Sequence, residues 1–488
     1  MLMASCSAFV VLPAPCISVA NAVPAPQTAR IFAGPIACKP FATPVHRRAG
    51  PIACKADSRR QSQYEGQSGG EEAPACVRGG TRREWLLRSA AVVAASLSGI
   101  TNPSSAAAVA SQQAYFQRFP VLFAPLYGAF SKQTLRREVG ESIWALEQNL
   151  ELGPLETPLR SVVIKLRNGK LWVHAPLAPT EEYFRLVESC GDGSTESVAH
   201  VVVPTYALEH KVFARDALAR WPNAKLWTSP GQFSFPLQSV PDDFVWGRSV
   251  SGVLTGADTQ RSASQIPWIE EIQYETLTAG TFAVGFSRLT FYETTFYHVA
   301  SKSLIVTDAV AQIPLEPPAL SSADKLLLIS KKSTSDALPQ DTREARRTGW
   351  EKTALLVSYF FPEHEELDPS RIGVVTWTEG WHDNFKAIAG RLLVPPVVRT
   401  LIYAQNAAGV QRWVDRVVGR WNFEQIVPAH WDAPIRASPR DLARAFAFLR
   451  DESVDAFPQN DLARGLQPIA DIFVRNQKGA KSEIEAPP

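Results

Sequence analysis

From about residue 160 onward, apolar positions alternate between the spacing of strands and the spacing of helices. Two apolar runs, 161–167 and 170–174, flank the dipeptide Asn168-Gly169. Asn-Gly supplies the left-handed backbone conformations that a tight turn needs, so the two runs predict a β-hairpin.

Helical spacing recurs in four segments, where apolar residues lie three or four positions apart. In the first, Thr180 is suited to cap a helix that continues to about Cys190 and buries Tyr183, Phe184 and Val187. The others are 211–221, about 410–417, and a last helix that begins at Ser438-Pro439.

Short segments rich in Val, Ile, Thr, Phe and Tyr predict the remaining strands, at 200–203, 223–227, 289–298, 303–308 and 423–427. Residues 311–394 have a less regular pattern and many prolines, which predicts an irregular insertion or lid. The alternation of strands and helices indicates a mixed α/β domain at 111–455, followed by a C-terminal tail at 456–488.

The composition is that of a globular protein with a buried core. The chain has 488 residues, of which 45% are hydrophobic and 20% charged, and this excludes fibrous and fully disordered classes. No run approaches the roughly 18 to 20 apolar residues of a membrane helix, so we expect no integral membrane segment in the mature chain.

The first 80 residues have the composition of an organelle transit peptide. They are rich in Ala, Ser, Pro and Val, and the first acidic residue is Asp57. A seven-residue sequence at 33–39 recurs at 49–55, which a presequence tolerates more easily than a packed core does. We therefore predict a chloroplast transit peptide at 1–80, with a disordered N-terminal tail as the alternative.

A second targeting signal is predicted at 81–110. Arg82-Arg83 precedes an apolar run that ends near Ile100, and small residues follow around Ala108. This is the pattern of a twin-arginine signal, and after a transit peptide it directs a protein to the thylakoid lumen. The alternatives are an amphipathic helix docked on the domain, and a location in the stroma or in association with the thylakoid.

Cleavage near Ala108 changes both the charge and the cysteine count. The whole chain has a net charge of +2, whereas the remaining residues carry a net charge of about −4. We therefore expect no nucleic-acid partner. Cys190 is the only cysteine after the cleavage point, which excludes an intramolecular disulfide and a thiolate zinc site.

Four residues that could ligate a metal follow predicted strands. Glu209 and His210 end the sequence Pro204-Thr-Tyr-Ala-Leu-Glu-His, Asp308 ends Leu-Ile-Val-Thr-Asp, and His430 ends Ile-Val-Pro-Ala-His. This order and spacing resembles the metallo-β-lactamase fold. The chain is more closely similar to a family of domains of unknown function from plants, algae and bacteria that resemble degenerate members of that fold, through 171–176, 221–225, Glu293 with His298, and Thr307-Asp308.

The resemblance implies a metallo-β-lactamase-like αββα sandwich, in which mixed sheets are flanked by helices. It also implies that Glu209, His210, Asp308 and His430 match the second metal site of dinuclear members. Thr205 and Ala207 occupy positions where those members have histidines, so the first site is dismantled. What remains implies either one divalent ion or none.

Two imidazoles and two carboxylates form a normal ligand set for zinc, iron or manganese. One such ion with an open position acidifies a water molecule, which would suffice for hydrolysis. His174, Glu293 and His298 are candidates for supporting or alternative ligands. Glu293 and His298 lie five positions apart in one strand and point to opposite faces, so only one of them can face the site.

Each of these residues also has a purely structural interpretation. His210 could hydrogen-bond a carbonyl, and Asp308 could cap a loop. The chain contains no nucleotide-binding or serine-hydrolase motif. The alternative hypothesis is a non-catalytic binding or assembly protein with a thylakoid protein partner, docked near the aromatic residues Trp350, Tyr359, Phe360 and Phe361. A buried satellite core explains those aromatic residues equally well.

Overall fold

The structure is a computed structural model of the chain. It describes residues 111–116, 131–232, 241–256, 266–284, 287–333, 335–359, 362, 364–367, 375–451 and 457–471. The predicted transit peptide and twin-arginine signal lie outside the described residues, as do Phe360 and Phe361. Among the helices of the described ranges, none is both long enough and apolar enough to cross a membrane.

The first of two large sheets contains seven strands in chain order. They are β1 (Leu135–Gly140), β2 (Ile143–Leu152), β3 (Leu155–Lys165), β4 (Leu171–His174), β5 (Val198–Val203), β6 (Lys225–Thr228) and β7 (Gly252–Val253). The strands β1 to β4 pair antiparallel, whereas β4 to β7 pair parallel. The parallel half places the carboxyl ends of β4, β5 and β6 at one edge.

The second large sheet has five strands in the order β16-β15-β10-β9-β8. Their bounds are β8 (Ile272–Val284), β9 (Ser287–His298), β10 (Ser303–Val306), β15 (Gln425–Pro428) and β16 (Ile435–Arg436). The strands β10 and β15 pair parallel, and the other neighbours pair antiparallel. Two small sheets pair β11 (Ala311–Gln312) with β14 (Leu392–Leu393), and β12 (His364–Leu367) with β13 (Val375–Trp377).

Helices cover the outer faces of the two sheets. They are α1 (Glu181–Glu188), α2 (Ala214–Arg220), α3 (Asp242–Trp246), α4 (Ala323–Ser330), α5 (Arg343–Tyr359), α6 (Trp381–Ile388), α7 (Ala407–Arg420), α8 (Pro439–Ala445) and α9 (Gln459–Asp461). Shorter helical turns include the 3₁₀ turn Leu208–His210 and the π turns Val398–Ile402 and Leu462–Leu466.

Each central strand is buried on both faces. Val162 of β3 and Ile305 of β10 pack in the apolar cluster between the sheets. Their neighbours Val163 and Leu304 pack in the cluster under the helices. Successive side chains of a strand point to opposite faces, so this division defines four layers: helix, sheet, sheet, helix. The predicted αββα sandwich of mixed sheets flanked by helices is confirmed.

Elements predicted from strong local signals agree with the structure. The hairpin of β3 and β4 forms, although only Gly169 of the turn has a positive φ, at 79°. Thr180 caps α1 by accepting a hydrogen bond from the backbone N–H of Tyr183. Ser438 and Asp441 form a capping box at the start of α8. These signals act within a few residues and need no tertiary context.

The expectation of an irregular region at 311–394 is wrong for its described part. Three helices, α4, α5 and α6, lie there, and Trp350 and Tyr359 of α5 are fully buried. The helices α4 and α5 pack closely, since a Cβ at Gly349 would lie 2.0 Å from the carbonyl oxygen of Leu326. Trp350 and Tyr359 therefore belong to the core and do not form an exposed docking surface.

Other boundaries also differ from the expectation. The helix predicted at 211–221 starts at Ala214, because Lys211 leaves the helical conformation at the end of the 3₁₀ turn. The strands β1, β2 and β8 were not predicted. Part of the expected tail is folded, since α9 and the π turn that follows it lie at 459–466.

Candidate metal centre

Asp308 and His430 lie side by side at the edge of the second sheet. Val306 of β10 is paired with Pro428 of β15, and each candidate ligand follows its strand by two positions. Because the two strands run parallel, their carboxyl ends meet at the same edge. The strand register therefore brings together two residues that are more than 100 positions apart in the chain.

Glu209 and His210 reach the same edge from the first sheet. The segment after β5 crosses between the sheets, where the carbonyl of Pro204 accepts a 2.7 Å hydrogen bond from the N–H of Thr294. The hydroxyl of Thr205 donates a 3.0 Å bond to the carbonyl of Tyr292. The 3₁₀ turn Leu208–His210 then directs both predicted ligands toward Asp308 and His430.

The candidate ligand atoms converge. His210 Nε2 lies 3.2 Å from His430 Nε2, and Asp308 Oδ1 lies 3.7 Å and 3.6 Å from these two nitrogens. Ligand atoms of Glu209, His210 and His430 all lie within 4.8 Å of one another. The structure thus brings together all four residues that the sequence singled out.

The centre is buried, and four of its polar atoms lack partners among the described residues. Glu209, His210 and His430 are each 1% exposed, and the side chain of Asp308 is 13% exposed. Within the described residues, both carboxylate oxygens of Glu209, Nδ1 of His210 and Oδ1 of Asp308 have no hydrogen-bond partner. Burying carboxylates without donors costs several kcal/mol, so this cluster needs a cation or protons.

The protonation of the cluster follows from its neighbours. Burial by itself would lower the pKa of His210, but the adjacent Asp308 carboxylate outweighs burial and raises it. Burial, together with the charge of His210, holds the pKa of His430 well below its ordinary value. Burial raises the pKa of Glu209. Of the two imidazoles, that of His210 therefore favours its protonated form more strongly.

The tautomer of His430 suits a metal ligand. Its Nδ1–H donates to the carbonyl of Pro158 at 2.9 Å, which leaves the lone pair of Nε2 directed at His210. Metal-ligating histidines usually donate their second ring N–H to a carbonyl or carboxylate in this way. His210 lacks such an acceptor among the described residues, because its Nδ1 has no partner.

These separations fit one small ion. Metal–nitrogen and metal–oxygen distances of about 2.0–2.1 Å in a tetrahedral site place neighbouring ligand atoms about 3.3 Å apart. The separations among His210, Asp308 and His430, which are 3.2, 3.6 and 3.7 Å, lie close to that value, and Glu209 lies within 4.8 Å of the two histidines. The donor set also fits, since imidazole and carboxylate together suit zinc, iron or manganese.

Of the two predicted supporting residues in β9, one faces the centre and the other points away from it, as strand geometry requires. Glu293 faces the centre, where its Oε1 accepts hydrogen bonds from the N–H groups of Thr307, Asp308 and Ala309 at 2.8, 3.2 and 3.3 Å. His298 instead hydrogen-bonds Ser301 Oγ at 2.7 Å. The carboxylate of Glu293 therefore holds the Asp308 loop in place, and burial together with the charge of Asp308 raises the pKa of Glu293 to about 7.

His174 lies beside the centre and contributes no ligand atom to the converging group. It is fully buried next to Phe296, with a ring separation of 5.6 Å, and neither ring nitrogen has a hydrogen-bond partner among the described residues. Burial, followed by the charge of His210, lowers the pKa of His174 to about 3. His174 is therefore an uncharged side chain that packs against the centre.

Arg160 is the most consequential residue that the sequence did not identify. It is completely buried in β3 and donates to Glu147 at 2.8 and 2.7 Å. The same guanidinium donates to the carbonyls of Pro428 and, at 2.8 Å, Trp431. It thus holds the loop that carries His430. A charged residue at the edge of the apolar run 161–164 is the only sequence signal that points to it.

Tyr403 was also missed. It is buried, its hydroxyl has no hydrogen-bond partner in the described part of the chain, and burial followed by the charges of Glu293 and Asp308 raises its pKa well above the ordinary value. Nothing local in the sequence distinguishes it from a core tyrosine.

The two replaced histidine positions hold no ligand. The hydroxyl of Thr205 donates a hydrogen bond to the Tyr292 carbonyl. The side chain of the buried Ala207 has no atom that can ligate a metal. The described residues therefore provide one candidate set of ligands.

Comparison with known proteins gives a family and several remote likenesses. Residues 140–448, more than half of the chain, match the sequence profile of a protein family that is described as a domain of unknown function (DUF4336). No curated protein matches. A metal-soaked flavodiiron core from Synechocystis is similar at 10% identity and a TM-score of 0.34, over 66% of this chain and 62% of that one.

Two metallo-β-lactamases are similar at the same level. The one from Pontibacter korlensis has 11% identity and a TM-score of 0.28, over 65% of this chain and 100% of its own. The one from Hirschia baltica has 10% identity and a TM-score of 0.31, over 67% and 99%. At these values the likenesses carry no conclusion about activity or ligands.

Proposed function

The chain belongs to the DUF4336 family of domains of unknown function, and from that premise we propose that it binds one divalent metal ion at Glu209, His210, Asp308 and His430. One observation carries the proposal: Glu209, His210 and His430 converge beside Asp308 in a buried centre, where both carboxylate oxygens of Glu209 and Oδ1 of Asp308 lack donors among the described residues. A cation removes that cost, and zinc, iron and manganese all accept this donor set.

The residues around the ion would have distinct tasks. Glu209 and His210 come from the segment after β5, whereas Asp308 and His430 come from the second sheet, so the ion would connect the two sheets. Glu293 orients the Asp308 loop, and the Pro158 carbonyl orients the imidazole of His430. When bound, the ion would supply positive charge and, at an open position, Lewis acidity.

The proposal predicts stoichiometric metal in the full-length chain. Protein purified without chelator or a histidine tag is expected to contain about one equivalent of zinc, iron or manganese by elemental analysis. Asp308→Asn and His430→Gln each remove one ligand, so we expect a loss of tenfold or more in metal affinity. His382→Gln is the matched control, because His382 is 46% exposed and pairs with Glu351 outside the centre.

Equal metal content in wild type and both ligand variants would contradict the proposal, provided that circular dichroism shows all of them folded. Absence of metal from wild type after incubation with each of the three ions would contradict it as well.

A metal-dependent hydrolase is the second candidate. The observation that favours it is the 13% exposure of Asp308, the only one of the four side chains above 2%. A carboxylate that moves toward solvent would open a position for water. The metal-loaded wild type would then hydrolyse esters, thioesters or phosphodiesters, and Asp308→Asn would not. Inactivity toward all three classes would leave the closed, non-catalytic metal protein, which acts in binding or assembly.

We further propose the thylakoid lumen as the location, on the basis of the presequence patterns at 1–80 and 81–110. Isolated chloroplasts are expected to import the chain and process it twice. Arg82→Lys/Arg83→Lys should stop it at the stromal intermediate, because the arginine pair is the recognition element. Arg88→Lys is the control. Delivery of both variants to the lumen would contradict the twin-arginine route.

A further inference from the structure

A cavity of about 470 Å³ lies apart from the metal centre, between β14, β16, α8 and the π turn Val398–Ile402. Its volume is within the range of about 300–1,000 Å³ that small-molecule sites occupy. It shares no lining residue with the metal centre. Whatever it binds is therefore independent of the proposed ion.

The charge of this cavity is strongly positive. Four arginines line it, Arg391, Arg399, Arg436 and Arg444, against the single carboxylate of Asp441. That carboxylate already accepts bonds from the N–H and hydroxyl of Ser438 at 2.9 and 2.7 Å, and its nearest arginine contact is Arg444 at 3.5 Å. Among the described residues that line the cavity, Asp441 therefore leaves Arg391 and Arg436 without a neutralising carboxylate.

Two of the arginines, Arg391 and Arg436, have no carboxylate partner among the described residues. Both are exposed, and neither forms an ion pair with any described residue. They come from segments more than 40 positions apart, so their proximity follows from the fold and not from a local basic run. Like charges brought together in this way repel each other unless an anion lies between them.

Aromatic rings form the other side of the cavity. The guanidinium of Arg399 lies 4.0 Å from the ring centre of Phe448 and 5.1 Å from that of Phe457, and Arg391 lies 5.8 Å from Phe457. Such stacking fixes the orientation of a guanidinium group at little entropic cost. Phe457 is 8% exposed and Ile435 3%, so the cavity has an apolar floor beneath its arginine rim.

We propose that this cavity binds a small phosphorylated molecule with an apolar or aromatic body. Guanidinium groups match phosphate oxygens in bidentate geometry, and a doubly charged phosphate satisfies more of them than a carboxylate does. The apolar floor accounts for the body of the ligand. The volume of about 470 Å³ fits a small molecule.

Calorimetric titration of the full-length chain with phenyl phosphate, inorganic phosphate and benzoate tests the proposal. Phenyl phosphate is expected to bind with one-to-one stoichiometry and about tenfold more tightly than either of the others. Inorganic phosphate lacks the aromatic ring, and benzoate lacks the phosphate group. Its affinity should fall as salt rises. Binding should be unchanged after a chelator removes any bound metal, which separates this site from the metal centre.

The double variant Arg391→Ala/Arg436→Ala is expected to weaken phenyl phosphate binding by about tenfold or more for each arginine removed. Arg185→Ala/Arg412→Ala is the matched control. It removes two arginines that are likewise exposed and lie outside the cavity, and it should change the affinity by less than about twofold. Should the alanine variant fail to fold, Arg391→Gln/Arg436→Gln replaces it.

Three results would overturn the proposal. The first is no binding of phenyl phosphate at millimolar concentration, and the second is equal affinity in wild type and the arginine variant. The third is tighter binding of benzoate than of phenyl phosphate, which would assign the cavity to carboxylates.

Discussion

Replacing Arg160 with methionine is expected to lower the free energy of unfolding by about 3–5 kcal/mol, the cost of breaking a buried ion pair by removing one partner. The change leaves the carboxylate of Glu147, whose side chain is only 10% exposed, without its buried cation. It also removes the donors to the carbonyls of Pro428 and Trp431, on either side of His430. Urea unfolding followed by circular dichroism measures the loss.

Arg137→Met is the matched control for this prediction. Arg137 also pairs with Glu147, but its side chain is 47% exposed, and ion pairs at the surface contribute about 0–1 kcal/mol. We therefore expect a loss of less than about 1 kcal/mol. Equal losses in the two variants would show that burial does not determine the strength of this pair. The double variant Arg160→Met/Glu147→Met should recover part of the stability, since it leaves no buried unpaired charge and the arginine that loses its partner, Arg137, is 47% exposed.

The pH dependence of Arg160→Met follows from the same pair. Burial would raise the pKa of Glu147, but the charges of Arg160 and Arg137 outweigh it and lower the pKa below the ordinary 4.5. A carboxylate with a lowered pKa in the folded state stabilises the protein fully above its ordinary pKa and loses this contribution as the pH falls through the folded value. The stability gap between wild type and Arg160→Met should therefore be widest above pH 4.5 and narrow below it.

Removing the metal ion is expected to produce the second large loss of stability. A ligand at about a thousand times its dissociation constant stabilises the folded state by about 4 kcal/mol. For a large domain this corresponds to a fall of about 8 °C in the melting temperature on chelation. The physical reason is that the ion neutralises Glu209 and Asp308 and connects segments from both sheets.

Two comparisons make the chelation result specific. His430→Gln should melt at the same temperature with and without chelator, because it has already lost the ion. His382→Gln should respond as wild type does, and addition of the metal should restore the original melting temperature. A wild-type melting temperature indifferent to both chelator and added metal would contradict the metal centre. The buried carboxylates would then be neutralised by protons and not by an ion.

Much of the site could be predicted because its ligands occupy fixed places relative to strands. Asp308 and His430 each follow a strong apolar run, so their chemistry and approximate location are visible in the chain. The sequence did not show which of the two supporting residues, Glu293 or His298, faces these ligands. Alternation shows that Glu293 and His298 point to opposite faces, but the direction of each face depends on where the second sheet packs.

The region 311–394 shows the opposite case. Its prolines and scattered aromatic residues suggested irregular structure, yet α5 contains no proline and continues for 17 residues from Arg343 to Tyr359. The close contact at Gly349 and the burial of Trp350 become apparent only when α4 packs against α5. Local pattern underestimated this region because its helices are stabilised by burial in the core.

By itself, the sequence determined the caps of α1 and α8, the hairpin of β3 and β4, the mixed α/β class and the identity of four candidate ligands. These depend on interactions within a few residues or on side-chain chemistry. Only the tertiary structure decided that Arg160 holds the His430 loop across 268 positions, and that four arginines from separate segments line one cavity. Such contacts depend on how two sheets pack, and no local pattern encodes that distance.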